Sequence, residues 1–249
     1  MWVRRPAGRP LVLGHRGASA IAAENGVDAF RRAAQDGADG VELDVLCCAT
    51  GEVVVFHDDD LVRLGNRPER IADLPYAAIR EIKLTSGAVI PTLEEAFEAC
   101  GPRMLVNVEL KAAAGFWGGP LAALVDRVAA IVERTGTAPR VLVSSFHPRA
   151  IFLWTRRAPH VGAGLLFERE SSPPMRGAWA APLLRPFALH PELALCRRDR
   201  VARWHARGYM VNVWTVDDPA ALRAASAMGV DGIITNSPAR ARAILDAGE

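Results

Sequence analysis

The 249-residue chain is half hydrophobic, enough to bury one large core, and its length is close to the roughly 250 residues of one α/β barrel. Thirty basic against 28 acidic residues leave a formal charge of +2, and the arginines are scattered, which argues against a nucleic-acid-binding surface. No apolar run approaches the ~20 residues of a membrane span. The start has no apolar signal-peptide stretch and the four cysteines lack zinc-ligand spacing, so a cytoplasmic protein with reduced cysteines and no transmembrane segment is expected.

In chain order, residues 11–15 read as a first strand that ends on His15-Arg16-Gly17. A helical pattern over 27–35 follows, and the strand at 40–46 carries Glu42 and Asp44, two apart and therefore on one face. Residues 53–57 are strand-like but come too soon for a parallel crossover, so they must return as a hairpin. A turn centred on Thr50–Gly51 pairs residues whose numbers sum to about 101 and sets His57 opposite Asp44. Thr92 with Glu95 reads as a capping box opening a helix over 93–99, and the strand at 104–110 ends on Glu109-Leu110-Lys111. Further strands are expected at 141–145, 162–166, 186–190, 209–215 and 232–235, with helices at 121–134, 148–157, 199–206, 220–228 and 238–245. Asp218 before Pro219 marks a helix start, and Gly37, Gly101, Gly208 and Gly229 stand where left-handed caps belong. Residues 171–182 form the loosest stretch, a loop plus a short helix. Eight strands alternating with helices, and no Gly-x-Gly-x-x-Gly turn after the first, predict a single (β/α)8 TIM barrel over residues 1–249, with a short hairpin insertion after strand two.

Active sites of such barrels lie at the carboxyl ends of the strands. There this chain places His15, Arg16, Glu42, Asp44, Glu109 and Lys111, and the hairpin adds His57. Carboxylates on a barrel strand are costly unless paired or bound to a cation. Glu42, Asp44 and Glu109 offer hard oxygen ligands, which suit Mg2+ or Ca2+ better than zinc. Arg16 and Lys111 suit an anionic substrate, although Lys111 beside Glu109 also reads as a simple ion pair. Two histidines can share the general-base and general-acid roles.

Taken together, the motifs resemble the glycerophosphodiester phosphodiesterase family from Leu11 to about Ala243. They are His15-Arg16-Gly17, Glu24-Asn25, the run from Gly37 to Val45, Val54-Val55-Phe56-His57-Asp58, and Pro91-Thr92-Leu93-Glu94-Glu95. Asn107-Val108-Glu109-Leu110-Lys111, Trp214-Thr215-Val216 and the run from Gly229 to Pro238 complete the set. The resemblance implies a barrel that hydrolyses small-molecule glycerophosphodiesters to sn-glycerol 3-phosphate and an alcohol. It implies His15 and His57 as the acid/base pair, Glu42, Asp44 and Glu109 as ligands of the divalent metal, and Arg16 and Lys111 as phosphate-holding groups. The sequence departs from the family pattern at Ala23-Glu24-Asn25-Gly26, at Cys48-Ala49-Thr50-Gly51, and at Leu64-Gly65-Asn66, which replaces a threonine-rich segment expected to border the pocket.

A neighbouring carboxylate is expected to raise a histidine pKa and favour its acid form. The attacking oxygen is either water or the glycerol 2-hydroxyl, the latter giving a cyclic phosphate first. Trp214 either touches the glycerol or the leaving group or fills the barrel core. Phe116-Trp117-Gly118-Gly119 reads as a cover over the pocket, as local packing, or as a patch that meets lipid. His147, His160, His190 and His205, with no acidic neighbour at useful spacing, are expected to be structural or exposed. Two other readings share these residues: a lysophospholipase D-like or sphingomyelinase D-like barrel phosphodiesterase, and a barrel that binds a phosphoryl ligand without turnover.

Overall fold

The computed structural model describes Trp2, residues 9–111 and residues 119–247. Its strands are β1 (Leu11–His15), β2 (Gly40–Cys47), β3 (Val53–Val55), β4 (Leu105–Leu110), β5 (Val141–Ser145), β6 (Gly162–Phe167), β7 (Ala188–Pro191), β8 (Met210–Val213) and β9 (Gly232–Thr235). All but β3 pair in parallel in the order β1-β9-β8-β7-β6-β5-β4-β2. Since β1 also pairs with β2, the eight strands close into a barrel, and β3 adds outside the ring, antiparallel to β2. Helices α1 (Val27–Gln35), α2 (Leu93–Cys100), α3 (Gly119–Arg134), α4 (Pro148–Arg157), α5 (Arg198–Ala206), α6 (Pro219–Ala227) and α7 (Pro238–Asp246) supply the crossovers. Between β6 and β7 two one-turn helices, Pro173–Arg176 and Ala181–Leu184, take the place of a longer one. Pro173, Pro174, Pro182 and Pro186 leave no uninterrupted run there for an extended helix.

Alternation along the strands divides the core. Outward residues such as Val12, Val41, Val106 and Val143 pack with Phe30, Phe97 and Trp154 from the helices. Inward residues Leu11, Leu13, Leu105, Leu142, Met210 and Ile234 fill the barrel together with Trp2. Local signals hold at several ends: Thr92 and Glu95 form the capping box, and the Asp218 side chain accepts from the Ala221 amide. Among the described residues no helix is long and apolar enough to cross a membrane.

The hairpin differs from expectation by one residue. Its loop has three residues, Ala49, Thr50 and Gly51, closed by the Cys48 amide donating to Glu52 O at 3.1 Å. Gly51 takes the left-handed conformation (φ +95°) that a three-residue loop needs at its last position. Pairing therefore runs Cys47↔Val53, Leu46↔Val54 and Val45↔Val55, and the Phe56 amide, not His57, donates to Asp44 O at 3.0 Å. Phe56 joins a second small core with Leu46, Val54, Leu61, Ile71, Ile79 and Ile90, which seats the excursion that follows β3. Cys47 packs against the main core and Cys48 in the second, on opposite faces as alternation requires.

His190, inside the barrel, has its Nε2 3.0 Å from Asn212 Nδ2, and burial pushes its pKa down to about 3. An unfolded imidazole titrates near 6.5, so below that pH the unfolded chain binds a proton that the folded chain refuses. Stability is expected to fall as pH drops from about 6.5 toward about 3, by at most about 1.4 kcal/mol per pH unit from this one group. Urea melts at several pH values check this. A His190→Gln variant with the same pH slope would rule His190 out as the source.

Candidate active site

Parallel pairing sets the expected residues side by side. His15 is in register with Glu42, and Asp44 with Glu109, on neighbouring strands of the ring. His57 reaches the same place because the ladder ends at Val55 and frees it from the strand. His15, Arg16, Glu42, His57, Glu109 and Lys111 line a cavity of about 350 Å³, at the small end of the range for ligand pockets. Trp214 and Phe146 form another part of its wall, with ring centroids 5.3 Å apart and planes near perpendicular. The Trp214 indole donates to His190 O at 2.8 Å and also packs on the barrel-filling residues, so it meets the cavity and the core together.

Glu42, Asp44 and Glu109 are all buried, and one oxygen from each lies within 4.8 Å of the others. Asp44 is the most heavily engaged. Arg16 Nε stands 3.2 Å from it and Lys111 Nζ 3.5 Å, and Asn25 Nδ2 donates to it at 2.9 Å. Lys111 also donates to Glu109 at 2.9 Å, and the Arg16 amide to Glu42 at 3.1 Å. The turn after β1 makes these contacts possible: Arg16 (φ +53°) and Asn25 (φ +57°) both adopt the left-handed conformation that costs an L residue energy. Such strain at residues that meet a buried carboxylate marks a site whose geometry is over-determined by its surroundings. Gly17 has φ +85°, and a Cβ there would lie 2.6 Å from the Ala29 backbone, so no side chain fits where α1 crosses the turn.

Burial raises the pKa of Glu42 and of Glu109, and the Asp44 charge adds to it in both cases. Burial works against the Lys111 charge, but Glu109 and Asp44 outweigh it and raise its pKa. Both histidines depart from expectation: their pKa values fall, because burial outweighs the nearby carboxylates. Arg16 further lowers His15, and Lys111 further lowers His57.

Each imidazole is oriented from behind. Asn236 donates its Nδ2 to Asp217, which turns its Oδ1 toward His15 Nδ1 at 2.7 Å. His15 Nδ1 must then carry the proton and Nε2 is the basic nitrogen, 3.9 Å from Glu42. His57 Nδ1 lies 2.6 Å from Asp58 Oδ1, an acceptor only, so the same tautomer follows. Asn236, Asp58, Glu24 and Asn25 all stand in motifs the sequence displays, but residue type alone did not disclose what they touch. Residue type discloses no role for Asp217, Arg63, Asn107 or Glu168 either. Asn107 and Glu168 line the cavity, and the buried Asn107 carboxamide has no hydrogen-bond partner among the described residues. Leu64, Gly65 and Asn66 do not line it, contrary to expectation. Phe116, Trp117 and Gly118 lie outside the described residues.

Of the remaining histidines, His147 borders a neighbouring hollow with Glu109, Lys111 and Phe146 and accepts from the Arg149 amide at 3.2 Å, whereas His205 and His160 lie elsewhere. His205 Nε2 meets Asp231 at 2.7 Å, a partner 26 residues away that local spacing does not reveal. His160 forms an exposed pair with Glu133 at 3.4 Å.

Comparison with known proteins gives the family. Residues 15–240 match the model of the glycerophosphoryl diester phosphodiesterase family. A glycerophosphodiester phosphodiesterase of Caldanaerobacter subterraneus subsp. tengcongensis is 31% identical over 239 residues, covering 92% of this chain and 95% of that protein. A solved Oleispira antarctica phosphodiesterase in complex with the product sn-glycerol-3-phosphate superposes with TM-score 0.84 at 25% identity, covering 95% of this chain and 97% of that one. A glycerophosphodiester phosphodiesterase from Parabacteroides distasonis gives TM-score 0.84 at 26% identity, covering 96% and 98%. This chain belongs to the glycerophosphoryl diester phosphodiesterase family.

Proposed function

We propose that this chain hydrolyses glycerophosphodiesters to sn-glycerol 3-phosphate and an alcohol, with His15 and His57 as the acid/base pair and Mg2+ or Ca2+ held by Glu42, Asp44 and Glu109. The observation that carries the reading is one cavity lined by Glu42, Glu109, two tautomer-fixed imidazoles and two cations, with a buried Asp44 oxygen within 4.8 Å of oxygens of both glutamates. The product-bound relative from Oleispira antarctica supports the substrate class.

The donor set fits a hard divalent cation. Two oxygens bound to one ion are at most about 4–5 Å apart, given bonds of about 2.0–2.6 Å, and the triad's oxygens, all within 4.8 Å of one another, stay inside that limit. Charge agrees as well: the connected carboxylates of Glu24, Glu42, Asp44, Asp58 and Glu109 outnumber Arg16, Arg63 and Lys111 by two. A divalent cation would supply Lewis-acid polarisation of a phosphoryl oxygen.

Arg16 and Lys111 bind the remaining phosphoryl oxygens and offset charge as it develops there. One imidazole takes the proton of the attacking oxygen through Nε2, and the other protonates the departing alkoxide. The bound phosphodiester is itself an anion and favours the charged form of the imidazole it touches, restoring the proton that burial withholds. Trp214 and Phe146 exclude water from the side of the cavity they line.

Purified protein with Mg2+ or Ca2+ is expected to release glycerol 3-phosphate from glycerophosphocholine, read by a coupled dehydrogenase assay. Turnover of lysophosphatidylcholine in its place would move the assignment to the lysophospholipase D-like reading. Ligand-dependent thermal stabilisation without product would leave only binding.

A further inference from the structure

Arg63 stands at the mouth of the site with 45% of its side chain exposed, and it does not line the cavity. Even so, it grips two carboxylates at once. Its Nε and Nη2 donate to Asp58 at 2.7 and 3.2 Å, and its Nη1 and Nη2 donate to Glu24 at 2.9 and 2.7 Å. Each carboxylate then makes one further contact inward. Asp58 Oδ1 holds His57 Nδ1 at 2.6 Å, and Glu24 Oε1 accepts from Arg16 Nη1 at 2.8 Å. A continuous chain thus runs from His57 through Asp58, Arg63 and Glu24 to Arg16 and Asp44. Asp58 and Glu24 share no contact of their own; the guanidinium fork joins them.

We propose that Arg63 is a positioning residue that sets the His57 imidazole and the Arg16 guanidinium as one unit, through its simultaneous bidentate hold on Asp58 and Glu24. The proposal rests on the reading of function above, in which His57 moves a proton and Arg16 binds phosphate. Only a planar fork can hold two carboxylates by their edges; a lysine there would be a point charge.

Stability of the fold is a poor explanation for this arrangement. Exposed ion pairs contribute about 0–1 kcal/mol each, and although a bidentate network such as this one contributes more, the segment does not depend on it for its place. The segment that carries Arg63 is seated by other means: Leu61 is fully buried in the second core. Its backbone is tied by Leu61 N to Glu69 O and Ile71 N to Asp59 O, both at 3.0 Å. What Arg63 adds is direction for two side chains that must meet one phosphodiester, and a displacement of about 1 Å at such groups costs up to about 10²-fold in rate.

The test uses the full chain with glycerophosphocholine and Mg2+ or Ca2+. Arg63→Gln and Arg63→Lys are both expected to melt within a few degrees of wild type and to lose about 10–100-fold in kcat with a smaller change in KM. Guanidinium ion is expected to restore part of the turnover of Arg63→Ala. Glu24→Gln and Asp58→Asn are expected to combine less than multiplicatively, since Arg63 is their shared partner. Full turnover in Arg63→Lys, or strictly multiplicative effects in the double variant, would overturn the proposal. A second readout is independent of activity. The His57 Nδ1–H proton, shifted downfield by Asp58 in the wild type, is expected to broaden in Arg63→Gln, and an unchanged resonance would also overturn the proposal. Wild-type protein inactive on glycerophosphodiesters would instead defeat the reading of function, and the resonance test would still stand.

Discussion

Alanine at His15 or at His57 is expected to lower kcat by about 10²–10⁴-fold while KM for the diester changes much less. The expectation rests on how each ring is held. His15 is fixed by Asn236 and His57 by Asp58, both through Nδ1, so in each case Nε2 is the nitrogen left for the cavity. Neither ring is a keystone of the core; their side chains keep 21% and 31% of their exposure, so the variants are expected to fold and melt near wild type. Removing both histidines is expected to cost little more than removing one, because a base without its acid partner completes no turnover. Steady-state kinetics on glycerophosphocholine decide the matter. Near-full kcat in either single variant would sink the acid/base assignment for that residue. Asn236→Ala, which frees the His15 tautomer without removing the ring, is expected to fall between the two extremes.

Why these groups could be picked out of the chain, and others not, follows from the range of the physical signals. Strand alternation and helix period are local, and they locate all eight barrel strands to within about two residues. Burial cost is also a local cue, which is why Glu42, Asp44 and Glu109 stand out on strands that ought to be apolar. The hairpin register shifted by one because turn chemistry decides loop length, and Gly51 favours a three-residue loop over a two-residue one. His57 reaches the cavity despite that shift, because the ladder stops before it. The partners of Asp44 and of the histidines were hidden for a different reason. Asn236 lies 221 residues from His15, and Glu24 lies 39 from Arg63; no periodicity joins such positions until the barrel closes. The direction of the histidine shifts is hidden on similar grounds: a carboxylate nearby in sequence is visible, but the desolvation that outweighs it is a property of the assembled site.

Chelation supplies the second large effect. Exhaustive EDTA treatment is expected to abolish turnover, and Mg2+ or Ca2+ to restore it, because burial disfavours the charged forms of Glu42 and Glu109 and the connected carboxylates outnumber Arg16, Arg63 and Lys111 by two, a deficit that a divalent cation would offset. Asp44→Asn sharpens the test. Asp44 is the carboxylate that Arg16, Lys111 and Asn25 all address, and it stands in register with Glu109. The amide keeps the shape but removes the charge, so Arg16 and Lys111 lose the counter-ion that they share. The variant is expected to bind the cation weakly and to lose activity as completely as the chelated wild type. Thermal melts give a reading that does not depend on turnover. A cation bound only by the folded state raises the wild-type Tm, with a stabilisation of about 2.7 kcal/mol when its concentration is 100 times Kd. In Asp44→Asn that rise is expected to vanish at the same concentration. Turnover that survives complete chelation would remove the metal from the mechanism, and Arg16 and Lys111 would then have to stabilise the phosphoryl charge unaided. A cation-dependent rise in Tm that persists unchanged in Asp44→Asn would place the ion elsewhere than among Glu42, Asp44 and Glu109.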